Sequence, residues 1–180
     1  MEKLENDKIY IPKVTDKYRY EEKDKRVISL KKHLEWIKRQ LEYVEFANEY
    51  KIRFALKKGE IYEFDWGVNV NAEFSNRHYG VVLRDSSEYD PLVLVCPLKT
   101  NKNGAHPASD VDLGYIDDLQ SEVKTLGVVN QIRSIDKMRI FSKSKIGDSS
   151  IFKTKIPVLS DDKVELLLTA YLNFIHGKSL

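Results

Sequence analysis

The stretch HYGVVLRDSSEYDPLVLVCPL, residues 78–98, decides the class of fold in this chain of 180 residues. It contains two apolar runs of strand length on either side of the polar turn DSSEYDP. A short apolar run that is bounded by turn residues indicates a buried strand. We therefore predict two central strands of a curled antiparallel sheet.

Weaker signals on both sides extend this sheet. Residues 60–66 alternate between apolar and polar side chains, which predicts a half-buried strand. Residues 67–77 and 101–109 are rich in Asn, Gly and Ser and should form loops. Two further short strands are expected at 110–113 and 123–130. The predicted class is therefore mainly β, with a small and strongly curved antiparallel sheet.

A predicted helix near the end of the sequence should cover one face or edge of this sheet. Ser160 is a suitable N-cap, and Gly177 follows the last turn. Asp161 and Asp162 lie favourably at the positive end of the helix dipole. Its apolar stripe consists of Val164, Leu167, Leu168, Tyr171, Leu172 and Ile175.

The composition changes at Lys57-Lys58-Gly59. Residues 1–56 contain no glycine and have fourteen Lys and Arg against eleven Asp and Glu, a balance of +3. All eight glycines lie from Gly59 onward, and the charge balance of residues 57–180 is −1. We therefore expect a charged helical extension at residues 1–56 and a glycine-punctuated, β-rich domain at residues 57–180.

The extension is predicted to contain one long helix at about residues 24–50. Its apolar side chains recur at steps of three and four, the narrow seam of a coiled coil: Val27, Leu30, Leu34, Ile37, Leu41 and Val44. Trp36, Tyr43 and Tyr50 form a second apolar edge at steps of seven. An isolated helix gains too little stability in water. This helix should pair with a copy of itself, lie on the following domain or bind a partner, and so stabilise a dimer, complete the core or cover a groove.

Composition excludes several classes of protein. The formal net charge of +2 argues against a broadly basic nucleic-acid binder, so any site for a polyanion must be local. No apolar run could span a membrane and the charged start does not suit a signal peptide, so we expect a cytoplasmic protein without membrane contact. The single cysteine, Cys96, excludes an internal disulfide. The histidines lack metal-ligand spacing and no phosphate-binding glycine motif is present, so we expect neither a metal nor a cofactor.

Several stretches after residue 56 resemble the MazF/PemK family of toxin endoribonucleases. They are KKGEIYEFDW (57–66), HYGVVL (78–83), VLVCPLKTNKN (93–103) and TLGVVNQIRSIDKMRI (125–140). Within the last of them, NQIRSIDKMRI is similar to a family signature at nearly every position. The resemblance implies an SH3-like barrel of the CcdB/PemK type and a homodimer. It also implies a type II toxin that cleaves single-stranded RNA without metal and is inhibited by a cognate antitoxin protein.

The resemblance also locates a candidate catalytic site. His78 takes the position of the family's catalytic arginine, with Arg77 one step earlier. Lys99 takes the position of the family's hydroxyl residue, with Thr100 one step later. Metal-free RNA cleavage needs a base for the 2′-hydroxyl, a cation for the charge on phosphorus and an acid for the leaving oxygen. We expect His78 to be base or acid and Arg77 and Lys99 to clamp phosphate. Thr100 is expected to donate a hydrogen bond.

Other residues near this site are expected to contact RNA. Glu73 keeps the family's spacing of five from His78 and could orient a catalytic side chain. Aromatic rings stack on the bases of single strands. Phe74, Tyr79 and Trp66 lie near the predicted groove, although Trp66 is equally consistent with a core position.

Two further expectations concern the signature and the class of function. The polar signature residues should hold a turn and a short helix against the sheet, because buried charges are normally paired; they are Gln131, Arg133, Asp136, Lys137 and Arg139.

Because both catalytic positions differ from the family pattern, a second function remains open. The same fold could bind RNA without cutting it, or poison a protein target as the related gyrase-inhibiting toxins do.

Overall fold

A computed structural model describes the long N-terminal helix and most of the chain after residue 53. The described residues are 25–49, 54–69, 72–102, 104–116, 119, 122–141 and 156–178. Within these residues lie two helices and six strands: α1 Lys25–Glu49, β1 Ile61–Asp65, β2 Arg77–Val82, β3 Leu92–Thr100, β4 Asp110–Asp112, β5 Thr125–Val128, β6 Arg133–Asp136 and α2 Asp161–Ile175. Two 3-10 turns occupy Val129–Gln131 and Lys137–Arg139.

The strands form one antiparallel sheet that closes into a small barrel. Their order is β1-β2-β3-β5-β4, and β6 pairs with the first half of β3. Shortly after β6, Ile140 forms an isolated bridge to Phe64 on β1. Strands β1, β2, β3 and β6 therefore surround one interior. The fold is mainly β with flanking helices, as the sequence predicted.

Strand β6 corrects one prediction. The sequence predicts that the signature residues hold a turn and a short helix against the sheet, but Arg133–Asp136 is itself a strand paired with β3, between the 3-10 turns Val129–Gln131 and Lys137–Arg139. The strand has four residues and a single fully buried side chain, Ile135. Such a short segment shows no alternation that sequence reasoning can detect.

Two hydrophobic cores lie on the two faces of the sheet. The barrel interior includes Phe64, Trp66, Val82, Val95 and Ile135. It closes around Gly80, where an added Cβ would lie 2.5 Å from a Val95 methyl group and 3.0 Å from the Trp66 ring. The second core lies between the outer face of the sheet and α2 and includes Val81, Cys96, Leu98, Leu113, Val164 and Leu167.

Helix α2 covers the second core over part of its length. Val164 and Leu167 are fully buried, but Leu172 and Ile175 are 56% and 57% exposed. The predicted stripe is therefore covered only over its first turns. The helix ends before Gly177, which has a φ of +66° that suits glycine. Ser160 has an extended N-cap conformation, although its side chain forms no capping hydrogen bond.

Helix α1 docks on the barrel through its aromatic edge. Tyr43 donates a hydrogen bond to the Asp65 carboxylate at 3.0 Å. The Nε atom of Arg39 lies 3.0 Å from the same carboxylate oxygen. The Trp36 ring packs against Gly67 so closely that an added Cβ would lie 2.7 Å from it. This edge of α1 therefore lies on the following part of the chain, one of the three alternatives that the sequence leaves open.

The coiled-coil seam of α1 does not take part in this docking. Its described side chains are all more than half exposed: Leu30 58%, Leu34 60%, Ile37 51%, Leu41 61% and Val44 59%. The predicted edge residue Tyr50 and the side chain of Val27 lie outside the described residues. Helix α1 thus buries its aromatic edge and leaves its coiled-coil seam exposed to solvent.

The docking surface contains a buried charge. The Asp65 side chain is fully buried and also accepts a hydrogen bond from the Gly67 backbone N–H at 3.1 Å. Burial and the neighbouring Asp65 raise the pKa of Tyr43 to about 12. The Nε–H of Arg39 is not aligned for a hydrogen bond, so its contact with Asp65 is an ion pair. A buried carboxylate is costly unless a cation compensates it, and here the cation comes from α1.

We predict that Arg39→Met lowers the free energy of unfolding by about 3 kcal/mol, because the buried Asp65 carboxylate loses its ion pair. Chemical denaturation followed by tryptophan fluorescence measures the change. Lys38→Met is the matched control, because Lys38 is exposed and pairs with Glu42 at 3.9 Å on the helix surface. It should change stability by less than about 0.5 kcal/mol. Adding Asp65→Asn to Arg39→Met should restore part of the lost stability. Equal stability of the single variants Arg39→Met and Lys38→Met would contradict the docking of α1 through Arg39.

Candidate active site

A cleft opens where β2 and β3 separate. The two strands pair only at residues 80–82 and 95–97, and the ladder ends at Pro97. Proline has no backbone N–H to donate, so it ends a ladder naturally. Beyond Pro97, β3 pairs with β5 instead. The departing strands leave a cleft of about 250 Å³ between them.

All four predicted catalytic residues line this cleft. They are Arg77 and His78 from the start of β2, and Lys99 and Thr100 from the end of β3. Tyr79, which the sequence predicts to contact RNA, lines it as well. The remaining lining residues are Glu63, Leu98, Leu119 and Thr125. Two chain segments that are about twenty residues apart thus meet at one site.

Arg77 is oriented by an aromatic ring. The centre of its guanidinium group lies 3.3 Å from the centroid of the Phe141 ring. This stacked contact leaves the edge of a guanidinium group available for hydrogen bonds. Successive side chains of a strand point to opposite faces, so Arg77 and Tyr79 share one face of β2 and His78 lies on the other. All three residues still line the cleft, because it opens at the end of β2 where the β2–β3 ladder has stopped.

His78 packs against a loop residue. Its ring lies 4.8 Å from the Phe74 ring, centroid to centroid. Partial burial lowers the pKa of His78, and the nearby Glu63 carboxylate opposes this by raising it. The residue as a whole is still exposed, so the loss of hydration is limited to the covered part of the ring. A neutral imidazole at this position can accept a proton near neutral pH.

Lys99 is already paired within the protein. Its ammonium group lies 2.7 Å from the Asp110 carboxylate, whose side chain is 1% exposed. Asp110 also accepts a hydrogen bond from the His106 backbone N–H at 2.6 Å. The charge that the sequence assigns to a phosphate clamp is therefore largely compensated. Beside it, Thr100 pairs with Thr125 across the β3–β5 ladder.

The predicted RNA contacts are only partly available. Trp66 is fully buried in the barrel interior, so it belongs to the core and cannot stack on a base in this structure. Phe74 is half-buried, with its ring 5.2 Å from Trp66. Tyr79 is 44% exposed in the cleft. Glu73 is exposed on the loop, outside the residues that line the cleft.

Three signature residues hold the loop that leads into the cleft. Arg133 Nη2 donates to the Trp66 carbonyl at 2.9 Å, and Arg139 Nε donates to the Asp65 carbonyl at 2.7 Å. The Gln131 side-chain oxygen accepts a hydrogen bond from the Phe74 backbone N–H at 3.2 Å. These contacts fix both ends of the described part of the loop between β1 and β2.

The other two signature residues hold neighbouring turns. The buried Lys137 ammonium donates to the carbonyls of Phe54 and Ser87 at 3.0 and 2.5 Å. Asp136 accepts a hydrogen bond from the Met138 backbone N–H at 2.8 Å and so caps the second 3-10 turn. The signature therefore has the structural role that the sequence predicts, although the elements it holds differ.

Sequence reasoning did not select two polar residues of the cleft. Glu63 lies in the middle of β1, and Thr125 begins β5. The signal for Glu63 was present, because the alternation of β1 places one polar side chain among apolar neighbours. Assigning it to the site required knowing that β1 lies beside β2. Thr125 carried no comparable signal.

The described residues form neither a metal-ion cluster nor a membrane-spanning helix. Among the described residues, no group of three or more His, Cys, Asp or Glu side chains could hold a metal ion. No described helix is both long and apolar enough to cross a bilayer. Cys96 lies in the second core, where burial raises the pKa of its thiol to about 12.

Comparison with known families agrees with this architecture. The model of the PemK-like, MazF-like toxin of type II toxin-antitoxin system matches residues 57–168. The chain therefore belongs to this toxin family, and membership implies a cognate antitoxin protein as partner. The match begins at the composition change and leaves α1 outside. A search of curated proteins gave no significant match.

We predict that Phe74→Ala moves the pKa of His78 upward toward its ordinary value of 6.5, because burial is the main cause of the lowered pKa. An NMR titration of the imidazole Cε1–H resonance measures it. A lowered pKa means that the folded state favours the neutral ring, so this group destabilises the fold as the pH falls below 6.5. Tyr115→Ala, an exposed ring outside the cleft, is the control. An unchanged pKa in Phe74→Ala would show that the ring contact is not its cause.

Proposed function

We propose that this toxin is a metal-independent endoribonuclease that cleaves single-stranded RNA, including mRNA. The observation that supports the proposal is the convergence of all four expected catalytic residues on one cleft. In the reaction, the 2′-hydroxyl attacks the adjacent phosphorus and the bond to the 5′-oxygen breaks. The products are a 2′,3′-cyclic phosphate and a 5′-hydroxyl.

The cleft offers a group for each task in this reaction. Arg77, held by its stacked ring, is suited to bind the phosphate and stabilise the charge that develops on it. His78 is suited to transfer a proton as base or acid. Thr100 can donate a hydrogen bond to a phosphate oxygen. Lys99 has a weaker case as a clamp, because phosphate must compete with Asp110 for it.

Recognition of a single strand fits the apolar and aromatic parts of the site. Tyr79 presents an exposed ring beside Arg77, and bases of unpaired RNA stack on such rings. We assign these activities to residues 57–180, with residues 1–56 as an extension of the toxin domain. A cytoplasmic location follows from mRNA as the substrate.

The charge balance of the cleft supports a second candidate function. Arg77 and Lys99 supply two positive charges, and Glu63 and the paired Asp110 supply two negative ones. Such a cleft attracts a polyanion less strongly than a basic one does. The second candidate is therefore a toxin of the same fold that binds RNA without cutting it or acts on a protein target.

The test of the first candidate is cleavage of a mixed-sequence RNA in EDTA. We predict cuts with cyclic phosphate ends, and a loss of rate by about 10²-fold or more in His78→Ala and Arg77→Ala. Lys99→Ala should cost less than Arg77→Ala. Intact RNA at high protein concentration would exclude the enzyme and favour the second candidate. Unchanged cleavage in both main variants would exclude only the residue assignment.

We also propose a homodimer, which the family resemblance implies, with the α1 seam as a contact. The seam is apolar and exposed, and a second copy of α1 presents the same heptads to it. Light scattering should give the mass of a dimer for the wild type and of a monomer for the double variant Leu34→Glu with Leu41→Glu. Leu172→Glu, on the exposed end of α2, is the control. Dissociation by the control alone would move the contact to α2.

A further inference from the structure

The carboxylate of Glu63 is the acidic group among the residues that line the cleft. Glu63 lies on β1 directly opposite Tyr79 of β2. Directly opposed side chains of an antiparallel pair lie on the same face, and Arg77 is two residues from Tyr79 on that face. The carboxylate is therefore placed on the side of the sheet where Arg77 and Tyr79 present their side chains.

Glu63 differs from the other carboxylates near the site. Asp65 is held by Tyr43 and Arg39, and Asp110 is held by Lys99. Among the residues that the structure describes, no ion pair or hydrogen bond engages the Glu63 carboxylate, and its backbone carbonyl accepts the Phe141 N–H at 2.7 Å. Its side-chain oxygens remain available to a group that enters the cleft.

A free carboxylate is an unexpected group in a site for phosphate. It repels the phosphate and cancels part of the charge of Arg77, so a site that only binds RNA would be stronger without it. A carboxylate has one clear use in metal-free RNA cleavage, which is to accept the proton of the attacking hydroxyl. The position beside Arg77 suits this use, because the hydroxyl and the phosphate are neighbours on one ribose.

We propose that Glu63 is the general base of the cleavage reaction, an assignment that rests on the proposed endoribonuclease function. A Glu63 side-chain oxygen takes the proton of the 2′-hydroxyl as the 2′-oxygen forms its bond to phosphorus. The bond from phosphorus to the 5′-oxygen breaks, and the leaving oxygen takes a proton from the His78 imidazolium. Glu63 then holds one proton and His78 has lost one, and exchange with water restores both.

This assignment gives His78 one role instead of two. With Glu63 as the base, His78 acts as the acid. Burial lowers the pKa of His78 and favours the neutral ring in the free protein, and the Glu63 charge acts in the opposite direction by raising the pKa. Bound phosphate would act in the same direction.

The experiment compares Glu63→Gln, Glu63→Asp and the wild type in two measurements on the full-length chain. Cleavage of an RNA oligonucleotide is followed across pH in EDTA, and binding is measured with the same oligonucleotide carrying 2′-deoxy sugars, which cannot react. Glu88→Gln, in the exposed turn between β2 and β3, is the matched control. Glutamine has nearly the same shape as glutamate, so loss of the fold is not expected.

We expect Glu63→Gln to reduce kcat by about 10²- to 10⁴-fold, while the 2′-deoxy oligonucleotide binds equally or more tightly. Its pH profile should lose the decline at acid pH that a carboxylate base produces. Glu63→Asp should retain an intermediate rate, because it keeps the carboxylate at a shorter reach.

Three outcomes overturn the assignment in different ways. If the wild type cuts and Glu63→Gln cuts equally well, Glu63 is not the base, and the endoribonuclease function stands. If Glu63→Gln loses binding and cleavage together, Glu63 holds the cleft in shape and is not a catalytic residue. If the wild type leaves RNA intact, the proposed function fails and the general base with it.

Discussion

The change of partner of β3 at Pro97 is the constraint on which the rest of the toxin domain depends. Before Pro97 the strand pairs with β2 and β6 and helps to close the barrel, and after it the strand pairs with β5. One continuous strand thus belongs to three ladders, and the β2–β3 ladder must end where the partner changes from β2 to β5. The cleft is the gap that this geometry produces. The start of β2 and the end of β3 are not hydrogen-bonded to each other, so they line the two sides of this gap.

The electrostatics of the cleft follow from local pairing instead of net charge. The whole chain has a formal charge of +2, and the cleft is lined by the cations Arg77 and Lys99 and the carboxylate Glu63, with Lys99 paired to Asp110. A long-range field therefore contributes little to attracting a polyanion. Orientation carries more weight here, because Arg77 is held by a ring and Lys99 by a buried carboxylate. The site has fixed partners for most of its charges and leaves Glu63 open.

Elements with strong periodicity could be predicted from the sequence. Contacts that depend on closure of the barrel could not. The heptads of α1, the apolar runs of β2 and β3 and the capped α2 were all visible locally. Strand β6 was not, because its four residues form a strand only through pairing with β3. The convergence of four candidate residues was expected from resemblance. The burial of Trp66 and the presence of Glu63 in the cleft depend on neighbours that only the closed barrel brings together.

The ion pair between Arg39 and Asp65 crosses the boundary of the family match. The residues that the match covers and the residues that share buried contacts are therefore two different sets. The family match defines a unit of descent that begins at residue 57, whereas the compensating charge for a buried group of that unit lies in α1. A fragment cut at the family boundary would lack the Tyr43 hydrogen bond and the Arg39 ion pair of the Asp65 carboxylate. The family boundary therefore does not imply that the residues after it fold without α1. A substitution of Arg39 in the extension therefore acts on a buried residue of the barrel, and a substitution of Asp65 acts on the docking of the extension.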